Sequence, residues 1–133
     1  MSKSIFFEIL GQAVPKGRPK FARIGKFIHT YTPKKTKEWE RTVKMRAAKY
    51  KPAKPFEGAV TITLCFYLLR PKSLSKKVLF HIKKPDGDNL GKAVLDALEG
   101  DFYKNDSQIV RAAVYKGYSD TVAKVVINIE EIS

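Results

Sequence analysis

The sequence predicts an α+β fold: helices packed on a mixed, mainly antiparallel sheet. Apolar runs of strand length stand at the start, middle and end of the chain, and two segments between them repeat apolar residues at helical spacing. The order that results is strand, helix, strand, helix, two strands, with the helices expected on one face of the sheet. The 133 residues call for a single domain, 1–133, because chains divide only at roughly 250–300 residues. A hydrophobic fraction of 44% supports a folded core.

Ile5 to Leu10 reads as the first strand, ending before the proline-containing basic loop "GQAVPKGRPK". "FARIGKFIHTY" reads as two short strands meeting at Gly25. In "TPKKTKEWERTVKMRAAKYK", Thr32 is the expected N-cap and Pro33 the first helical residue, where its missing N–H costs nothing. Trp39, Val43, Ala47 and Tyr50 share one face of this helix; Lys34, Lys35, Lys37, Arg41, Lys44, Arg46 and Lys49 fill most of the rest.

Lys51 to Gly58 is a connector. Val60 to Leu69 follows as the strongest strand, and apolar residues at both parities predict burial on both of its faces, with Cys65 as a small buried hydrophobe. Ser73 is expected to cap a short helix ending before Pro85. The second long helix starts at or near Asp88, carries Leu90, Val94, Ala97 and Leu98 as its core stripe, and ends at Gly100. Ile109 to Tyr118 and Val122 to Ile132 are predicted as an antiparallel pair joined near Ser119 and Asp120.

The net charge is +13, from 26 Lys+Arg against 13 Asp+Glu. A folded surface of that sign attracts polyanions through counterion release, which makes nucleic acid the leading partner and an anionic membrane the competing one. Lys16, Arg18, Lys20 and Arg23 in and after the basic loop, with Lys34 and Lys35 at the helix start, are the expected phosphate contacts. No apolar run approaches the ~20 residues of a membrane span, and "MSKSIFFEILGQ" has too short an apolar stretch, with Glu8 inside it, for a signal peptide, so a soluble intracellular protein is expected. One cysteine excludes an internal disulfide, and Cys65 with the distant His29 and His81 excludes a structural zinc site.

Against this basic background "KKPDGDNLGKAVLDALEG" sets Asp86 and Asp88 two positions apart before a helix. Aspartates there serve as N-caps and suit the helix dipole. They also suit a divalent cation. A calcium loop of EF-hand type is excluded, because Leu90 and Ala97 fall where oxygen ligands are needed. Asp106 lies in the connection back to the sheet, and its return to Asp86 would complete an oxygen-rich Mg²⁺ site able to hydrolyse a phosphodiester. Lys92, four residues after Asp88 on the helix, would pair with Asp88 or stabilise charge developing in the transition state.

"PDGDNLGKAVLDAL" followed by "NDSQI" resembles the signature of the RusA-type Holliday-junction resolvases, closely from Lys84 to Val110. "VPKGRPKFAR" and "YTPKKTKEWE" are similar to the amino-terminal part of many phage and bacterial members. The resemblance implies a RusA-like fold and a Mg²⁺-dependent endodeoxyribonuclease, with Mn²⁺ as substitute, that resolves four-way DNA junctions by paired nicks in recombination and repair. It implies that Asp86, Asp88 and Asp106 are the metal-binding catalytic carboxylates and Lys92 the functional lysine, with Asn89 and Asp96 in support. Asn105 stands where other members can have a second aspartate. The resemblance further implies a homodimer with two sites, and a cytoplasmic protein of bacterial, phage or prophage origin. Phe21, Phe27 and Phe102, beside basic segments, are candidates either to wedge or stack at the crossover or to be core. A non-catalytic basic DNA- or RNA-binding module is the alternative.

Overall fold

Four strands, β1 (Lys3–Leu10), β4 (Ala59–Leu69), β5 (Ile109–Ser119) and β6 (Lys124–Ile132), form one sheet in the order β1-β6-β4-β5. Strands β2 (Lys20–Ile24) and β3 (Phe27–Tyr31) form a separate antiparallel pair that turns at Gly25, in the left-handed region at φ +59°. The computed structural model describes residues 3–17, 20–25, 27–31 and 33–132, with backbone alone for 20–24 and 27–31. The helices are α1 (Lys34–Ala47) and α2 (Gly87–Leu98).

The sheet is mixed: β1 with β6 and β6 with β4 are antiparallel, whereas β4 with β5 is parallel. The expected β5–β6 pairing is not formed, since β4 lies between them. Burial explains the order. Val125, Ile127 and Ile129 of β6 are fully buried and take an inner position, while β5, with Val110 and Tyr115 exposed, takes the edge. A parallel β4–β5 pair also needs a crossover, and α2 supplies it.

Alternation in β4 is cleaner than its composition suggested. Val60, Ile62, Leu64, Phe66 and Leu68 are buried, whereas Thr61, Thr63, Cys65 and Tyr67 are half-buried, so the strand is covered on one face only. Cys65 therefore lies half-buried on the uncovered face rather than in the core. Burial raises the proton affinity of its thiol.

Helix α1 lays Trp39, Val43 and Ala47 on the covered face, and Tyr50, just beyond it, stacks on Phe7 with ring centroids 4.7 Å apart. Pro33 occupies the N-cap rather than the first helical position, its carbonyl accepting from the Lys37 N–H at 3.1 Å; Thr32 lies outside the described residues. The expected helix after Ser73 is absent. Successive turns take its place, because the Arg70 guanidinium donates to the carbonyls of Ser75 at 2.7 Å and Val78 at 2.6 Å and fixes them in a turn path.

Candidate active site

Helix α2 begins where the chain leaves Pro85 in extended geometry at Asp86, with Leu90 N–H donating to Asp86 O at 3.1 Å as the first helical bond. Leu90, Val94, Ala97 and Leu98 are buried as the sequence predicts, and Gly100, at φ +96°, ends the segment. Burying that stripe turns Asp88, Asn89 and Lys92 outward, and all three are exposed, as is Asp86.

Asp86 stands at the N-cap, yet its side chain accepts no helix N–H. Among the described residues neither Asp86 nor Asp88 takes part in an ion pair or accepts a side-chain hydrogen bond, and Asp88 is not paired with Lys92. The two exposed carboxylates at the helix start thus have no side-chain partner among the described residues. Asp86 and Asn89 border a recess of about 690 Å³ between the start of α2 and the loop at residues 12–17, with Lys84 also on its wall.

Asp106 is not at this end. It starts a 3-10 turn, Asp106–Gln108, and its N–H donates to Glu99 Oε2 at 3.1 Å, Glu99 being the C-cap of α2. Twelve helical residues, about 18 Å at 1.5 Å each, therefore separate Asp106 from Asp86 within one chain. The chain reaches β5 by the short path at the far end of α2 and does not fold back along the helix. Consistently, among the described residues no three His, Cys, Asp or Glu side chains gather as metal ligands.

Neighbours of Asp106 have structural work. Asn105 Oδ1 accepts from Ser107 N–H at 2.9 Å and Gln108 Oε1 accepts from Asn105 N–H at 2.8 Å, a reciprocal capping box. Gln108 Nε2 also donates to the Phe56 and Gly58 carbonyls. The spacing Asn-x-x-Gln was the available signal for this box. Phe102 is fully buried and stacked on Phe7, so it is core and cannot wedge a junction.

Lys16 is bound internally rather than displayed. Its ammonium lies 2.7 Å from Glu40 Oε1 and 3.0 Å from Asp96 Oδ2, so it ties the loop to α1 and α2 at once. Burial disfavours the charged lysine, but hydrogen bonds and charge from Glu40 and Asp96 outweigh this and raise its pKa. Asp96 is thereby engaged with Lys16 and not with Lys92. The Lys16 N–H donates to Asn89 O at 2.8 Å, a further stitch between loop and α2. Lys34 and Lys35 are exposed on α1, Lys34 within 4.0 Å of Glu38. Arg18 lies outside the described residues, as do the side chains of Lys20, Arg23, Phe21 and Phe27. Asp101 pairs with Lys44 at 3.3 Å.

The family model "Endodeoxyribonuclease RusA" matches residues 11–130. The uncharacterized protein YqaN of Bacillus subtilis (strain 168) is 36% identical over 140 residues, covering 97% of this chain and 97% of that protein.

Proposed function

Because the chain belongs to the RusA endodeoxyribonuclease family, we propose that it is a Mg²⁺-dependent, structure-selective endonuclease that nicks four-way DNA junctions in recombination and repair. The observation that carries this reading is the pair Asp86 and Asp88, exposed and free of the capping bond that would otherwise explain them, on a chain of net charge +13. Carboxylates that have neither a cap bond nor an ion pair among the described residues would repel DNA unless a cation reverses their sign.

Two carboxylates suit Mg²⁺, which keeps several waters and takes the remainder of its ligands from substrate phosphate. Bound there, the ion would polarise the phosphoryl oxygen and acidify a water nucleophile. Asp86 and Asp88 would hold it. Lys92, one turn on from Asp88 and exposed, would meet the scissile phosphate or the charge it develops. Lys34 and Lys35 would draw the DNA backbone in without reading sequence.

Asp106 enters this reading through a second copy of the chain. In a two-fold homodimer, Asp106 of one protomer can join Asp86 and Asp88 of its partner, which the length of α2 prevents within one chain. Two such sites related by symmetry suit a substrate with approximate two-fold symmetry. The separation of Asp106 equally favours a second reading, a basic nucleic-acid-binding module without chemistry.

Cleavage of a synthetic four-way junction, with linear duplex as control, separates the two. Metal-dependent paired nicks at the junction, lost in Asp88→Asn with binding retained, are expected of the nuclease. Binding without cleavage in Mg²⁺ and in Mn²⁺ would leave only the binding module.

A further inference from the structure

The chain that delivers Asp86 has little regular structure of its own. Residues 70–85 run through turns from β4 to α2, and Ile82, Lys83 and Lys84 are exposed. Its last stretch is held from β5. His81 N–H donates to Lys116 O at 3.1 Å, and Lys116 Nζ donates to the carbonyls of Lys83 and Pro85, each at 2.8 Å. The Pro85 carbonyl belongs to the peptide group whose nitrogen is that of Asp86, so the ammonium grips the peptide on which the carboxylate is mounted.

A lysine is unexpected at this place. Lys116 lies two residues beyond Val114 and therefore on the same side of β5, the side that meets α2. Its register partner on β4 is the fully buried Phe66. An apolar residue would continue the core here. Instead, two of the three ammonium donors are spent on carbonyls, and one positive charge stands next in space to the segment bearing Asp86 and Asp88.

We propose that Lys116 is a positioning residue for Asp86: by clamping the carbonyls of Lys83 and Pro85 it fixes the entry into α2 and the direction of the Asp86 carboxylate. The proposal rests on the nuclease reading of Asp86 and extends it to a residue on another strand. Lys116 touches no substrate in this scheme. Its effect passes through the backbone, where a displacement of about 1 Å at a reacting group can cost on the order of 100-fold in rate.

The test compares wild type with Lys116→Met, which keeps the stem and removes the charge, and Lys116→Arg. Junction cleavage in Mg²⁺ gives kcat and KM; junction binding is measured in chelator; amide hydrogen exchange is followed in the metal-free protein. Lys116→Met is expected to lose roughly tenfold or more in kcat, to bind the junction like wild type, and to exchange the Leu90 and Gly91 amides of the first α2 turn faster while β4 and β6 stay protected. Lys116→Arg is expected to recover part of kcat. If Lys116→Met does not fold, Lys116→Gln, which also removes the charge, carries the test, and wild-type kcat in that variant overturns the proposal. Faster exchange with unchanged kcat would make Lys116 a structural clip only and would also overturn it. A wild type that cuts no junction in any divalent cation would instead remove the nuclease reading, and this role with it. That outcome is distinct from one in which wild type and Lys116→Met cut alike.

Discussion

Gly91 of α2 and Val114 of β5 are in such close contact that a β-carbon on Gly91 would stand 2.9 Å from Val114 Cγ2. This is where the helix bearing the acidic pair is seated on the sheet. Glycine in a helix interior normally costs about 1 kcal/mol relative to alanine, yet here the absent methyl is what permits the approach. Gly91→Ala is expected to destabilise the protein by about 1–2 kcal/mol net of that propensity gain, and Val114→Ala should offset much of the loss. Denaturant melts of the two single variants and the double variant measure the coupling; additive effects would contradict the contact.

Lys16 and Lys35 should behave oppositely in salt titrations of DNA binding. Lys35 is exposed, and Lys35→Ala is expected to lower the slope of log K against log salt by up to about 0.9. Lys16→Met should leave the slope unchanged, because its ammonium is held by Glu40 and Asp96. It should instead cost about 1 kcal/mol of stability, by leaving two carboxylates facing each other. The raised pKa means that the folded state holds this proton more tightly, so the contribution is full below pH 10.5 and disappears as pH rises through the raised value.

His81 makes the opposite prediction at acid pH. Burial and the charge of Lys116 lower its pKa from 6.5 more than backbone hydrogen bonds raise it, and the ring lies beside Tyr118. Stability linked to the neutral imidazole is therefore full above pH 6.5 and is lost as pH falls through the lowered value. Thermal melts at about pH 7.5 and about pH 5 should show a larger drop for wild type than for His81→Phe. Equal drops would refute the assignment.

Mixing two inactive variants tests the shared site. With Asp88→Asn in one protomer and Asp106→Asn in the other, a site completed across the dimer leaves one intact set, whereas a site contained within one chain leaves none. After subunit exchange, about a quarter of wild-type nicking is expected. No recovery, despite mixed dimers shown by mass, would refute a site shared across the dimer.

Local signals in the sequence were reliable. The stripe Leu90, Val94, Ala97 and Leu98 and the stop at Gly100 follow from helical period and from glycine's access to positive φ, both properties of neighbouring residues. The basic loop was legible as basic, but the pairing of Lys16 with Glu40 and Asp96 depends on where three distant segments meet. The same holds for Lys116, which lies 31 residues from the Pro85 carbonyl that it grips. Strand partners are not legible for a related reason: the alternation in β5 and β6 says which side of each strand is apolar and nothing about which neighbour it adopts. The position of Asp106 was lost because a motif gives order and spacing without the path of the loop.

The placement of β6 between β1 and β4 has a consequence for how the chain is made. On the ribosome β1 emerges before the other strands of this sheet and its partner β6 after them, since Lys3 pairs with Glu131. Throughout synthesis Phe7 and Ile9 therefore belong to an unmatched edge, open to aggregation until the final strand arrives. Closure through contacts so distant in sequence makes folding slow relative to helical proteins of this size. Deleting β6 would divide the sheet in two, leaving β1 without a strand to pair with and β4 bonded to β5 alone.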